Sequence, residues 1–146
     1  MIQLLLLFLW VLAAFVGLAF LETTVEGERA GAEGTKGWRK SLLGYRLKEY
    51  HFWLWLVVVP LFVFSPLVLT GPDPQVFATL AIAYLVGGAV EDFAYFLVNP
   101  HFGLGKWNSE GAKWMPWVKV WRFEVPKFYV RNLLLSAGLF YLFFLR

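Results

Sequence analysis

The sequence predicts an all-α integral membrane protein: a bundle of four transmembrane helices, with interfacial amphipathic segments in its two long loops. Three observations carry that prediction. Hydrophobic residues make up 60% of the 146 positions and charged residues only 16%, far from the balance of a soluble domain. Apolar runs occupy residues 2–21, 52–70, 76–98 and 128–145, each near the roughly 20 residues that a spanning helix needs. The intervening loops, 22–51 and 99–127, are too short for a soluble domain, so residues 1–146 form a single membrane domain.

The first run lacks a basic leader and a small-x-small cleavage site, and it is too long for the core of a secretion signal, so it stays as the first helix. Ala13 and Gly17, four apart, give it a face that another helix can approach closely. A Gly-rich stretch from Glu26 to Gly37, expected to be disordered, leads into a basic amphipathic segment from Trp38 to Tyr50 that suits the membrane interface. In the second run Pro60 and Pro66 each remove a backbone donor, which predicts a bent helix whose carbonyls near Leu56 and Phe62 need other partners. The third run ends at Asn99-Pro100. Beyond it, Gly103-Leu-Gly105-Lys106 reads as a turn, since it lacks the spacing and the Ser/Thr of a phosphate-binding loop. Trp114, Trp117 and Trp121 recur at helical spacing and suggest a second interfacial helix, whereas Trp117, Trp121, Phe123 and Val125 also fit an extended strand.

Twelve of the thirteen Lys and Arg residues fall in or beside the two long loops, and only Arg146 lies opposite. Basic residues are retained on the cytoplasmic side, so both loops are expected in the cytoplasm and both termini outside a multi-pass protein of the plasma (inner) membrane. The formal charge of +3 does not point to nucleic acid, because each basic cluster is juxtamembrane and interleaved with aromatic residues. Membrane lipids with anionic headgroups are the expected partners. With no cysteine, disulfides, thiolate metal sites and cysteine nucleophiles are excluded.

Glu91 and Asp92 interrupt the third apolar run, where an ionisable group marks a functional site by default. They lie seven or eight residues from Asn99, about 10–12 Å along the axis, within the cytoplasmic leaflet. Gly87 and Gly88 stand one turn earlier, with Ala83 extending the first ridge, so the neighbouring surface is bare enough for close packing or for a pocket. Tyr95 and Asn99 continue a polar strip, Arg131 and Asn132 are about equally deep in the fourth helix, and His51 and His101 stand on the same side. Glu91, Asp92, Tyr95 and His101 are the candidate catalytic groups, with Asn99, Arg131, Asn132 and His51 as substrate-binding groups.

Two other readings compete for these residues. An ion pair between Arg131 and one carboxylate is the purely structural alternative, but adjacent acids point about 100° apart on a helix and one arginine does not satisfy both. Glu91, Asp92, His51 and His101 also offer an oxygen and nitrogen set suited to a divalent Zn, Mn or Fe ion. Haem ligation by His51 and His101 is a lesser variant of the metal reading. Two histidines are too few for the multi-histidine di-iron sites of membrane desaturases, and no serine has a nucleophile-elbow context.

The segment Val90-Glu-Asp-Phe-Ala-Tyr-Phe-Leu-Val-Asn-Pro-His-Phe-Gly103, with the Trp-rich stretch and Val125-Pro126 after it, resembles a group of small prokaryotic four-helix membrane proteins. That resemblance covers about the second half of the chain and implies an interest in Glu91, Asp92, Asn99 and Pro100, but brings no activity with it. The functional expectation is a small membrane enzyme acting on a lipid or lipid-like substrate by acid–base or metal-assisted chemistry. One alternative is a non-catalytic subunit or assembly partner of a larger membrane complex; another is a homo-oligomeric ion or proton conduit.

Overall fold

The computed structural model describes residues 1–28, 35–42 and 45–146, so half of the Gly-rich stretch expected to be disordered lies outside the described residues. Among the described residues four helices are long and apolar enough to cross a membrane: α1 (Ile2–Glu26), α2 (Glu49–Thr70), α3 (Pro74–Val98) and α4 (Lys127–Leu145). Strands β1 (Arg39–Leu42) and β2 (Tyr45–Lys48) precede α2, and β3 (Trp117–Val120) and β4 (Phe123–Pro126) precede α4.

Local chemistry sets the ends of these helices. Continuing past Leu21, α1 stops at Gly27, whose φ of 56° is one that other residues rarely adopt. Asp73 caps α3 by accepting from the Gln75 and Val76 amides at 2.8 Å, with Pro74 at the first helical position. At the far end Asn99 Oδ1 accepts from the amides of His101 and Phe102, at 2.8 and 3.0 Å, and turns the chain out of α3.

α3 is the element on which the others pack. Val11 and Phe15 of α1 meet Leu80, Ala83 and Gly87 of α3 in rising order, so these two helices run parallel. The Phe64–Phe77 ring pair and the Tyr84–Trp55 bond place α2 antiparallel to α3, and the Asn132–Leu85 and Tyr129–Asp92 bonds do the same for α4. Both long loops therefore meet at one end of the helices. Ala13 and Gly17 do not form the packing face expected of them: both are exposed, and nothing lies within 4 Å of where a Gly17 Cβ would be. The buried stripe of α1 is Val11, Phe15, Ala19, Glu22 and Glu26.

α2 accommodates its prolines differently at each site. Ahead of Pro60 the helix widens into a π turn over Leu54–Val58, in which the Val59 amide bonds the Leu54 carbonyl. A carbonyl that loses its partner there is that of Trp55, next to Leu56, because its π-register donor would be the missing N–H of Pro60. The Tyr84 hydroxyl of α3 donates to it instead. Ahead of Pro66 the Phe62 carbonyl is freed as expected, and the Ser65 hydroxyl donates to it at 2.7 Å.

Each of the two basic segments contains an antiparallel two-stranded hairpin, and in the second this replaces the interfacial helix that the tryptophan spacing suggested. In the second, Val118, Val120 and Val125 supply β-branched residues, and Trp121 at φ 55° makes a two-residue turn with Arg122. The period-two pattern prevails there over the helical spacing of the tryptophans. Lys119 stands opposite Glu124, and the Glu124 carboxylate accepts from the Ser109 amide at 2.8 Å. That bond holds the carboxyl below the ordinary glutamate range, with the Ser109 hydroxyl and Lys119 adding to it.

Candidate active site

Where α1, α2, α3 and α4 meet at the loop end, they line an open cavity of about 380 Å³. Its polar side is built from three helices. Glu22 and Glu26 descend from α1, His51 from the first turn of α2, and Glu91 and Asp92 from α3. Its apolar wall is aromatic and aliphatic, with Trp55, Leu56, Leu85 and Phe128 from the helices and Trp114 and Met115 from the loop after α3.

Each acid arrives by a different local cause. Glu22 and Glu26 extend the stripe Val11, Phe15, Ala19 at spacings of three and four, so the same α1 face that packs on α3 becomes charged in its last turns. Glu91 lies one turn beyond Gly87. A Cβ on Gly87 would sit 2.5 Å from Phe15 Cδ2, so the ring of Phe15 rests against bare backbone and draws α1 close to α3. This brings Glu22 and Glu91 near enough to interact carboxyl to carboxyl. Asp92 follows Gly88, which meets only Trp55, at 3.9 Å, and borders the cavity. One glycine thus serves close packing and its neighbour leaves open space.

Partners of the acids are uneven. Asp92 Oδ2 accepts from the Tyr129 hydroxyl at 2.7 Å, and His51 Nε2 faces Glu26 Oε1 at 3.3 Å. By contrast Oε1 of Glu22, Oε1 of Glu91 and the hydroxyls of Tyr50 and Tyr95 are buried without a hydrogen-bond partner of good geometry, although Tyr50 and Trp55 stand beside the Glu22 carboxyl and Tyr95 beside Glu26. Glu91 is only 3% exposed and Glu22 and Glu26 are each 6% exposed. Buried carboxylates facing one another require a proton or a bound cation between them.

The Arg131–carboxylate pair of the structural alternative does not form. Arg131 directs Nε and Nη2 to Asn132 Oδ1, at 3.1 and 2.9 Å, and Asn132 donates in turn to the Leu85 carbonyl at 2.9 Å. The arginine is exposed at the cavity edge, held by a buried asparagine. Tyr129, not Arg131, faces Asp92, because it lies nearer the loop end of the antiparallel helix.

Of the residues singled out in the sequence, Glu91, Asp92, Tyr95, His51, Arg131 and Asn132 line this cavity together. His101 and Asn99 do not. The chain turns away at Pro100, leaving His101 half exposed at 4.0 Å from Glu28, while buried Asn99 spends its side-chain oxygen on the turn. The metal and haem sets that included His101 are accordingly separated. Sequence reading missed Glu22, Glu26, Tyr50 and Tyr129. The two glutamates carried a usable signal, since their i, i+4 spacing continues the buried stripe of α1. Comparison with models of protein families, with curated proteins and with solved structures finds no match.

Proposed function

We propose that the protein is a small four-helix-bundle enzyme of the plasma (inner) membrane that carries out acid–base chemistry on a lipid-like substrate entering from the cytoplasmic leaflet. The observation that carries this reading is the cavity itself, lined by Glu22 and Glu91, each of which keeps one buried carboxyl oxygen without a hydrogen-bond partner, beside a wall of Trp55, Leu56 and Phe128. A purely structural cluster would satisfy its buried acids. Such a pocket suits an amphiphile, whose apolar body lies along the aromatic wall while its reacting group reaches the acids.

Glu22 and Glu91 act as proton donor and acceptor, and their position on parallel neighbouring helices allows one to lose a proton as the other gains it. Asp92 is oriented by Tyr129. Arg131, exposed at the edge and steadied by Asn132, suits a polar or anionic headgroup. The basic residues of both hairpins lie at the same end as the site, which supports a cytoplasmic entrance.

Protein purified in mild detergent should carry a near-stoichiometric amphiphile, seen by native mass spectrometry and identified after extraction. Gly88→Leu should fold normally and lose that ligand, because its side chain enters the cavity. Glu91→Gln should retain the ligand but no longer convert it. Wild-type protein free of any bound amphiphile, or Gly88→Leu protein retaining it, would remove the reading.

A further inference from the structure

We propose that Glu22, Glu26, His51 and Glu91 bind one divalent transition-metal ion at the polar side of the cavity. This deepens the enzymatic reading above, on which it rests for the cavity and its substrate, and in the loaded protein it gives Glu22 and Glu91 the role of metal ligands in place of proton carriers. One ligand atom each from Glu22, Glu26 and His51 already lies within 4.8 Å of the other two. Metal–ligand bonds of about 2.0–2.2 Å place the ligands of one ion about 3–4 Å apart, so modest side-chain rotations close the set.

The chelate has a structural cause. Glu22 and Glu26 are one turn apart on α1 and project to the same side, a spacing that lets two side chains of one helix share an ion. His51 meets them because α2 begins beside the end of α1. Glu91 is the independent fourth element: it comes from α3, is 3% exposed, interacts with Glu22 and has an oxygen without a donor. The imidazole beside Glu26 can balance one carboxylate, but it leaves the buried oxygens of Glu22 and Glu91 facing each other. A dication between them resolves that conflict.

Three carboxylates and one imidazole, with no sulfur ligand, are the donor set of Mn(II), Fe(II) or Zn(II). This set differs from the one the sequence suggested, replacing Asp92 and His101 with Glu22 and Glu26. Asp92 is committed to Tyr129 and His101 is elsewhere.

The full-length protein in detergent, stripped with a chelator and passed through gel filtration, should rebind one equivalent of Mn(II) or Zn(II) by elemental analysis and calorimetry. Glu22→Gln, Glu26→Gln and His51→Gln should each weaken binding at least tenfold, whereas His101→Ala should leave it unchanged. Electron spin echo spectroscopy of Mn(II)-loaded wild type supplies a readout that no variant's misfolding can disturb; it should show a single coordinated imidazole nitrogen. Failure of the wild type to bind either ion stoichiometrically, an unaltered affinity in Glu22→Gln and His51→Gln, or a Mn(II) signal without imidazole nitrogen would overturn the site. Stripped protein that holds and converts its amphiphile but binds no metal would remove the ion and leave the acid–base enzyme standing. Metal binding without any amphiphile would do the reverse.

Discussion

The contact between α1 and α3 has two halves that obey opposite rules. Toward the start of both helices it is dry and close-packed, with Val11 and Phe15 against Leu80, Ala83 and Gly87, all buried. Toward their ends the same two faces carry Glu22, Glu26 and Glu91, and a cavity opens beside them. The first half has small residues where bulk approaches. The second has carboxyl groups where bulk or a donor would stabilise better. Stability built in the first half holds together charges that repel in the second, an arrangement expected where a site serves function at some cost to the fold.

The adjacent glycines test this contrast most directly. Gly87→Leu forces a side chain into the Phe15 ring and should cost about 3 kcal/mol or more, at the top of the range for overpacking. Gly88→Leu should stay within about 1 kcal/mol of wild type, because the added side chain meets open space and leucine favours helix. Thermal unfolding in detergent, followed by near-ultraviolet absorbance or tryptophan emission, would report both. Equal losses in the two variants would dissolve the distinction between the halves.

Phe15→Ala should destabilise by about 3 kcal/mol, the lower part of the range for truncating a buried phenylalanine, since lipid is a poorer driver of helix association than water. In metal-free protein Glu91→Gln should have the opposite sign or no effect, because it removes a charge from beside Glu22. A loss comparable to that of Phe15→Ala would mean that the acids hold the fold together. Tyr84→Phe leaves the Trp55 carbonyl without its donor and should cost about 1–2 kcal/mol, with enhanced exchange of amides around the π turn.

The smallest effect lies outside both halves, at Glu124. Its carboxyl is held below the ordinary value, so the stabilisation is present above the unfolded range near about 4.3 and is lost as pH falls through the lower folded value. Protection of the Ser109 amide against hydrogen exchange should therefore survive mild acid and disappear only at lower pH. Glu124→Gln should weaken that protection at every pH where the wild-type carboxylate is ionised and abolish its pH dependence. The candidate active site should be unmoved by either change.

Much of this arrangement could be read from the chain. The four apolar runs, the stops at Asp73-Pro74 and Asn99-Pro100, and the anomaly of Glu91 and Asp92 all rest on local chemistry: hydrophobic length, capping and the cost of charge in an apolar segment. The prolines of α2 were legible as well, with a freed carbonyl at Trp55, next to Leu56, that Tyr84 reaches across from α3. Tertiary packing decided the rest. Whether Gly87 and Gly88 would receive a neighbour or border a space depended on which direction each faced, and Phe15 took the first. The match of Glu22 to Glu91 depended on α1 running parallel to α3 at close range, a pairing that no local pattern encodes. Direction and closeness are properties of two helices together, so the sequence alone determined that this protein keeps acids within an apolar helix, and only the packed structure decided which groups those acids meet.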